Sequence, residues 1–146
     1  MTTMRTNLRR NERGAALIEA AITIPIILLI AVGIFEFGRA YQTWQVLTNA
    51  AREGARVAIL AETTDSAVTD VVRSYMESGQ LPQFATATVN VERTVAFGTN
   101  TASRVTVTYP FDFIVLNPVV RLINASSTTG QGTTMMQSSA LMRNES

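Results

Sequence analysis

Apolar residues form one long run near the N-terminal end of the chain. Residues 15–35 include twelve Leu, Ile, Val or Phe residues and a single formal charge, at Glu19. A helix of about 20 apolar residues crosses a hydrocarbon layer of about 30 Å. The twelve large apolar side chains favour insertion by about 4 to 7 kcal/mol, which exceeds the roughly 3 kcal/mol that one charge costs at mid-membrane. The pattern therefore predicts a transmembrane helix over 15–35.

The charges that flank this run predict its orientation. Four arginines precede it, opposed only by Glu12: Arg5, Arg9, Arg10 and Arg13. Basic residues stay on the cytoplasmic side, so we expect a cytoplasmic N-terminus and an extracytoplasmic chain after residue 35. Pro25 lies inside the predicted span, where we expect it to bend the helix without ending it. Residues 1–13 are polar and are predicted to be disordered.

A cleaved signal peptide is an alternative interpretation of the same segment. The small residues Ala31, Val32 and Gly33 could form its cleavage site. Against it, the apolar run exceeds the usual length of about 7 to 15 residues, contains Glu19 and continues into a further helical pattern.

The helical period continues over residues 36–62. Apolar residues recur there at spacings of three and four: Phe37, Tyr41, Trp44, Leu47 and Ala51. The aromatic members either lie at the outer membrane interface, where such side chains are enriched, or belong to the core of an outer domain. Small residues follow, at Ala50, Ala51, Gly54, Ala55 and Ala58. They either receive another subunit's helix or pack against this chain's own sheet, and the second interpretation is slightly favoured. Glu53 and Arg56 lie within reach of an i,i+3 ion pair.

A second helix is predicted from Thr64 or Asp65 to Ser78, ended by Gly79 and Pro82. Its expected buried face consists of Ala67, Val68, Val71, Val72, Tyr75 and Met76. Three charged residues are expected to face water: Asp70, Arg73 and Glu77.

After the second helix, the hydrophobic period changes to two. Alternation over 87–95 and 105–109 predicts an antiparallel hairpin around Gly98, with an extension over 111–115 beyond a break at Pro110. A short helix is expected over 119–123, a flexible loop over 124–132 and a third strand over 133–143.

These elements predict an α+β fold, with a long N-terminal membrane helix extended outward, a second helix and a small antiparallel sheet of about three strands. The predicted organisation has four parts. Residues 1–14 form a basic leader, 15–35 the span, 36–62 the extracytoplasmic continuation of the helix and 63–146 a small α+β domain.

Composition removes most catalytic chemistry. The chain has no Cys and no His, and all twelve of its basic residues are Arg. Thiolate nucleophiles, imidazole bases, Lys Schiff bases and the commonest metal ligands are therefore excluded. We expect no catalytic residues, no cofactor and no metal. A net charge of +1 is also unlike that of a nucleic-acid binder.

The strings RGAALIEAAITIPIILLIAVGIFEFGR and LTNAAREGARVA resemble the TadE-like family of minor pilins or pseudopilins from the tight-adherence pilus system. The ending ALMRNES is similar to the family's usual close. A basic leader that ends in Gly14 and is followed by Glu19 inside an apolar helix resembles the processing site of type IV-pilin-like precursors. One position departs from the pattern, because Ala20 stands where the family often has Phe.

The resemblance implies cleavage after Gly14 by a prepilin peptidase, with Ala15 as the new N-terminus and Glu19 at the fifth mature position. Residues i and i+4 are neighbours on a helix, so the freed amine of Ala15 can pair with Glu19 within one chain or with the Glu of a neighbouring subunit. In another interpretation, Glu19 merely lies at the headgroup boundary.

The implied role is structural, in assembly of a tight-adherence (Flp, type IVb-like) pilus used in cell adhesion. The implied location is the bacterial inner membrane, with a single pass, or the pilus surface. The implied partners are the prepilin peptidase, other minor pilins, the major pilin, the inner-membrane assembly platform and membrane lipid. The alternative function is a signal-anchored extracytoplasmic binding or adhesion module that is not processed as a pilin.

Overall fold

Two helices and three strands make up the fold. A computed structural model describes residues 8–60, 62–98, 100–115, 118 and 133–144. The elements are α1 (Leu8–Ala58), α2 (Asp65–Ser78), β1 (Thr88–Phe97), β2 (Asn100–Phe111) and β3 (Thr134–Arg143). A short 3-10 turn at Phe84–Thr86 lies between α2 and β1. The predicted α+β fold, with one long helix, a second helix and three antiparallel strands, is confirmed.

Helix α1 is the longest element, with 51 residues and a length of roughly 75 Å. It passes through Pro25, which therefore does not end the helix, as predicted. It begins at Leu8, so the prediction of disorder throughout 1–13 is wrong for its last six residues. Leu, Arg and Glu in this stretch are good helix formers, and they extend the helix ahead of the apolar run.

Helix α2 begins and ends where the sequence predicts. The Thr64 hydroxyl accepts a hydrogen bond from the Ala67 N–H at 3.3 Å, and Gly79 follows the last helical residue. Its buried face consists of Val68, Val72 and Met76. Of the residues predicted to be buried, Tyr75 is 39% exposed, and Ala67 and Val71 are half-buried. Arg73, which was predicted to face water, is half-buried. The buried face of this short helix is therefore narrower than the apolar face that its sequence predicts.

The sheet is antiparallel, with the order β1-β2-β3 and β2 in the centre. Gly98 in the β1–β2 turn has a φ of 61°, a conformation that glycine adopts without steric cost. Along β2, residues alternate between the covered and the outward face. Val105, Val107 and Tyr109 point toward the helices.

Strand β2 runs through Pro110 and ends at Phe111, so the predicted break at Pro110 is wrong, and the predicted extension over 111–115 is right for Phe111 and wrong for 112–115. The β1 ladder begins at Thr88, which pairs with Thr108, whereas Pro110 pairs with Met135 of β3. At Pro110 the central strand therefore has a neighbour on one side only, where a missing N–H is tolerated. The helix predicted over 119–123 and the loop predicted over 124–132 lie outside the described residues.

The hydrophobic core lies between the C-terminal part of α1, helix α2 and the inner face of the sheet. Helix α1 contributes mostly small side chains to it, which allows α2 and β2 to approach closely. Its fully or almost fully buried apolar residues are Leu47, Ala50, Ala51, Ala55, Ala58, Val68, Val72, Met76, Leu81, Ala87, Val105, Val107, Tyr109 and Phe111. The N-terminal half of α1 contributes none of them.

Candidate functional site

The predicted spanning segment is an uncovered apolar surface. Every Leu, Ile and Phe side chain between residues 17 and 35 is at least 51% exposed. Soluble monomers rarely expose an apolar patch this extended. Among the described residues, one helix, Gly14–Ala58, is long and apolar enough to cross a membrane, and none of its most apolar stretch is buried. This surface is compatible with a single-pass membrane anchor.

The residues of the predicted processing site lie at the start of this surface. Gly14, Ala15 and Glu19 are all exposed and all belong to α1. Ala15 and Glu19 are separated by one helical turn, so the four-residue spacing that would bring a freed amine to the carboxylate is present. The helix runs through the bond between Gly14 and Ala15 without a break.

A buried carboxylate marks the other end of the apolar segment. Glu36 is 0% exposed. Its Oε2 atom accepts a hydrogen bond from Arg39 Nη1 at 3.0 Å, and its Oε1 atom accepts one from the Val115 N–H at 2.7 Å. Arg39 also donates to the Asp112 carbonyl at 3.3 Å and lies 5.1 Å from the centre of the Phe111 ring. Together these contacts fasten residues 111–115 to α1.

Sequence reasoning missed this role of Glu36. The i,i+3 spacing of Glu36 and Arg39 was a local signal for an ion pair, because such residues are neighbours on a helix. The burial has no local signal, since its other partner is 79 positions away in the chain. A Glu that directly follows an apolar run otherwise suggests the start of a solvated segment.

The aromatic residues beyond Glu36 belong to the exposed surface and not to the core. Phe37 is 67%, Tyr41 62% and Trp44 47% exposed. The Tyr41 and Trp44 rings lie 6.3 Å apart. Of the two interpretations left open by the sequence, a place in the core is wrong for this chain. The predicted single stripe is in fact divided, because Leu47 and Ala51 turn toward the core.

The small residues of α1 pack inside the chain, as the favoured interpretation predicted. Ala50, Ala51, Ala55 and Ala58 are buried. A Cβ atom at Gly54 would lie 2.5 Å from Val72 Cγ2 and 3.2 Å from Val105 Cγ1. Both α2 and β2 therefore occupy this face, which leaves no space there for a helix of another subunit.

The charged groups of the α+β domain form surface pairs. The predicted pair of Glu53 and Arg56 is confirmed, with Arg56 Nε 3.1 Å from Glu53 Oε2. The hydrogen bond from Arg56 lowers the pKa of the Glu53 carboxyl, against a smaller opposing effect of burial. Arg93 joins β1 to α2 through Asp65, at 2.8 Å. Within the ranges that the structure describes, no three Asp or Glu residues form a group that could hold a metal ion.

The fold and this surface define a class of protein, in which a small α+β domain is built on one end of a long, exposed apolar helix. Residues 14–56 match the family model described as TadE-like protein. Over this segment the resemblance inferred from the sequence is confirmed. The match ends inside α1, ahead of α2 and the sheet. Neither the curated proteins nor the solved structures contain a match to this chain.

Proposed function

We propose that this chain is a minor pilin or pseudopilin, a membrane-anchored structural component in the assembly of a tight-adherence pilus. The TadE-like match associates it with such a pilus system in general. The more specific proposal of a pilin rests on one observation, which is that three features begin at the same place in the chain. The matched segment begins at Gly14, at the start of the exposed apolar surface, with Glu19 one turn beyond Ala15.

The anchor sits in the cytoplasmic membrane with the N-terminus in the cytoplasm and the domain outside. The arginines ahead of the span support this orientation. Prepilin peptidase cleaves after Gly14, which removes residues 1–14. The remaining chain carries eight Arg and ten acidic residues and has a net charge of −2.

Glu19 then acts as an assembly contact. A carboxylate within an apolar layer is stabilised by a cationic partner, and the amine of Ala15 supplies one. In a filament, that amine belongs to the neighbouring subunit, which aligns the two helices. The partners in this process are the other minor pilins, the major pilin and the assembly platform. The chain acts as a substrate of the peptidase and has no enzymatic activity of its own.

One observation favours the second candidate, a signal-anchored module that stays unprocessed. The bond after Gly14 lies within α1, so the helix must open locally before a protease can reach it. In that case residues 8–14 remain part of a longer cytoplasmic stem, and the outer domain serves binding or adhesion.

The deciding experiment identifies the N-terminal residue of the membrane-extracted protein by mass spectrometry, with and without co-expressed prepilin peptidase. We expect Ala15 when the peptidase is present and an intact leader when it is absent. An intact leader in both samples contradicts the pilin proposal and supports the unprocessed module. An N-terminus at Ile34 would identify a cleaved signal peptide.

A variant pair tests the assembly role separately from cleavage. Glu19→Ala should still insert, because it removes a charge from the apolar segment, but pili should be lost or greatly reduced. Glu77→Ala, which removes an exposed carboxylate on α2, is the control and should leave pili unchanged. Normal piliation of the Glu19→Ala strain would contradict the role of Glu19.

A further inference from the structure

A second apolar contact point lies beside the outer end of the spanning segment. Ile114 is 60% exposed, although it belongs to a loop that is firmly attached to α1. The attachment has two parts, from Val115 to the buried Glu36 and from Arg39 to the Asp112 carbonyl. Both fastened residues flank Ile114, so the loop presents its side chain at a fixed place.

The loop lies beside the turn of α1 that directly follows the apolar segment. The Asp112 carbonyl accepts a hydrogen bond from the Arg39 guanidinium, which also pairs with Glu36, and the Val115 N–H donates to Glu36. Ile114 is therefore at the level of Glu36, immediately beyond Phe35. Residues 15–35 extend about 32 Å at 1.5 Å per residue, which is close to the hydrocarbon thickness of about 30 Å. This places Ile114 at the outer boundary of the hydrocarbon layer.

The surroundings of Ile114 suit a lipid boundary. Glu36, the nearest carboxylate on α1, is fully buried and paired, so it presents no charge to lipid. The exposed Phe37 continues the apolar surface of the span at the same level. The carboxylate of Asp112 receives a hydrogen bond from Gln83 Nε2 at 3.4 Å, which directs it toward the 3-10 turn.

We propose that Ile114 enters the outer leaflet beside Phe37, so that the outer domain touches the lipid surface at a second point and is held at a fixed orientation. This inference rests on the proposed membrane anchoring. A helix that spans the bilayer alone fixes depth but leaves the domain free to tilt with the helix relative to the membrane plane. A second contact, away from the helix axis, restricts this tilt.

The test uses the full chain in phosphatidylcholine vesicles. Because the chain has no cysteine, Ile114→Cys gives a single site for a nitroxide label. Leu60→Cys is the matched control, since Leu60 is a similarly exposed apolar residue (54%) just beyond the far end of α1. Accessibility of each label to molecular oxygen, which concentrates in lipid, is compared with accessibility to a water-soluble nickel complex.

We expect the oxygen-to-nickel accessibility ratio at Ile114→Cys to be at least about tenfold higher than at Leu60→Cys, as for a label at the lipid boundary compared with one in water. Equal ratios in protein that floats with the vesicles would overturn the lipid contact and leave the anchoring proposal intact. Protein that does not float would overturn both.

A second substitution guards against a labelling artefact. Trp44 is the single tryptophan, so Ile114→Trp in a Trp44→Phe background gives one emitting side chain. Lipids brominated near the acyl carbonyl should reduce its fluorescence about twofold, since the residue would lie within reach of that depth. An emission unaffected by bromine would overturn the proposal, provided that circular dichroism shows the native helix content.

Discussion

At the scale of single residues, the packing of the domain depends on a glycine, Gly54, at a position where any side chain would collide with its neighbours. Gly54 lies on α1 where α2 and β2 both approach the helix, and the closest neighbouring atom would be only 2.5 Å from an added Cβ. Cores are packed at crystal-like density, so one methyl group here cannot be placed without moving Val72. The sequence marks this site with small residues, but it does not identify the element that occupies the space.

We expect Gly54→Ala to lower the free energy of unfolding by about 1 to 3 kcal/mol, as overpacking usually does. Gly38→Ala is the control, because nothing lies within 4 Å of its Cβ position. Alanine is the better helix former there and should raise stability by about 0.5 to 1 kcal/mol. Thermal or denaturant unfolding in detergent micelles measures both, and equal shifts would contradict the packing argument.

At the scale of elements, α1 has two successive environments. The Leu, Ile and Phe side chains from Leu17 to Phe35 are exposed, whereas from Glu36 onward one face of the helix is covered by the sheet and by α2. The change occurs at the pair of Glu36 and Arg39, which holds the end of β2 and the loop after it. A buried carboxylate that loses one partner is costly, whereas an exposed ion pair contributes little.

Two matched i,i+3 pairs on the same helix allow this contrast to be measured. Arg39→Met should lower the free energy of unfolding by about 2 to 4 kcal/mol, because it leaves the carboxylate of Glu36 buried without its cation. Arg56→Met removes the exposed partner of Glu53 and should cost at most about 0.5 kcal/mol. Denaturant titration of both variants in micelles gives the comparison, and equal losses would show that burial of Glu36 contributes nothing.

Local signals predicted the elements well, and partners distant in sequence account for the errors. The cap at Thr64, the glycine after Ser78 and the alternation of the strands lie within the elements that they define, so the sequence predicts α2 and the hairpin closely. Pro110 and Tyr75 were misjudged for another reason. Tolerance of the proline depends on where β1 ends, and exposure of the tyrosine depends on how far α1 covers α2.

The candidate site likewise has some residues that local sequence signals predict and others whose roles depend on partners distant in sequence. Composition and charge along the chain predict the apolar span, and the resemblance to pilin-like precursors identifies the residues of the proposed processing motif. Glu36 and Ile114 could not be found in this way, because their roles depend on a contact across 79 positions. For the aromatic residues the sequence leaves two interpretations open, since a helical stripe alone does not indicate which neighbour covers it.

At the scale of the whole molecule, the anchor and the domain share one helix but not one core. The buried residues among those described begin at Glu36 and continue to Phe111. Within the part of the chain that the structure describes, the segment of α1 before Glu36 contributes exposed apolar surface and no buried residue. Stability of the domain should therefore not depend on the segment that precedes residue 34.

We expect a chain that starts at Ile34 to fold in water without detergent, with a free energy of unfolding within about 1 kcal/mol of the full chain, because none of the buried residues that the structure describes is removed. A chain that starts at Tyr41 is the control and should be less stable, since it lacks both Glu36 and Arg39. Circular dichroism with urea titration measures both. An unfolded chain from Ile34 would contradict the independence of the domain from the segment that precedes residue 34.

The continuity of α1 also has a mechanical consequence. The helix that carries the exposed apolar surface is the same element whose last three turns form the centre of the domain, with no linker between them. A force applied to its N-terminal end is therefore transmitted directly to the interface of α1 with α2 and the sheet. That interface must be disrupted as a whole before the domain unfolds, so the domain and α1 move together as one rigid body.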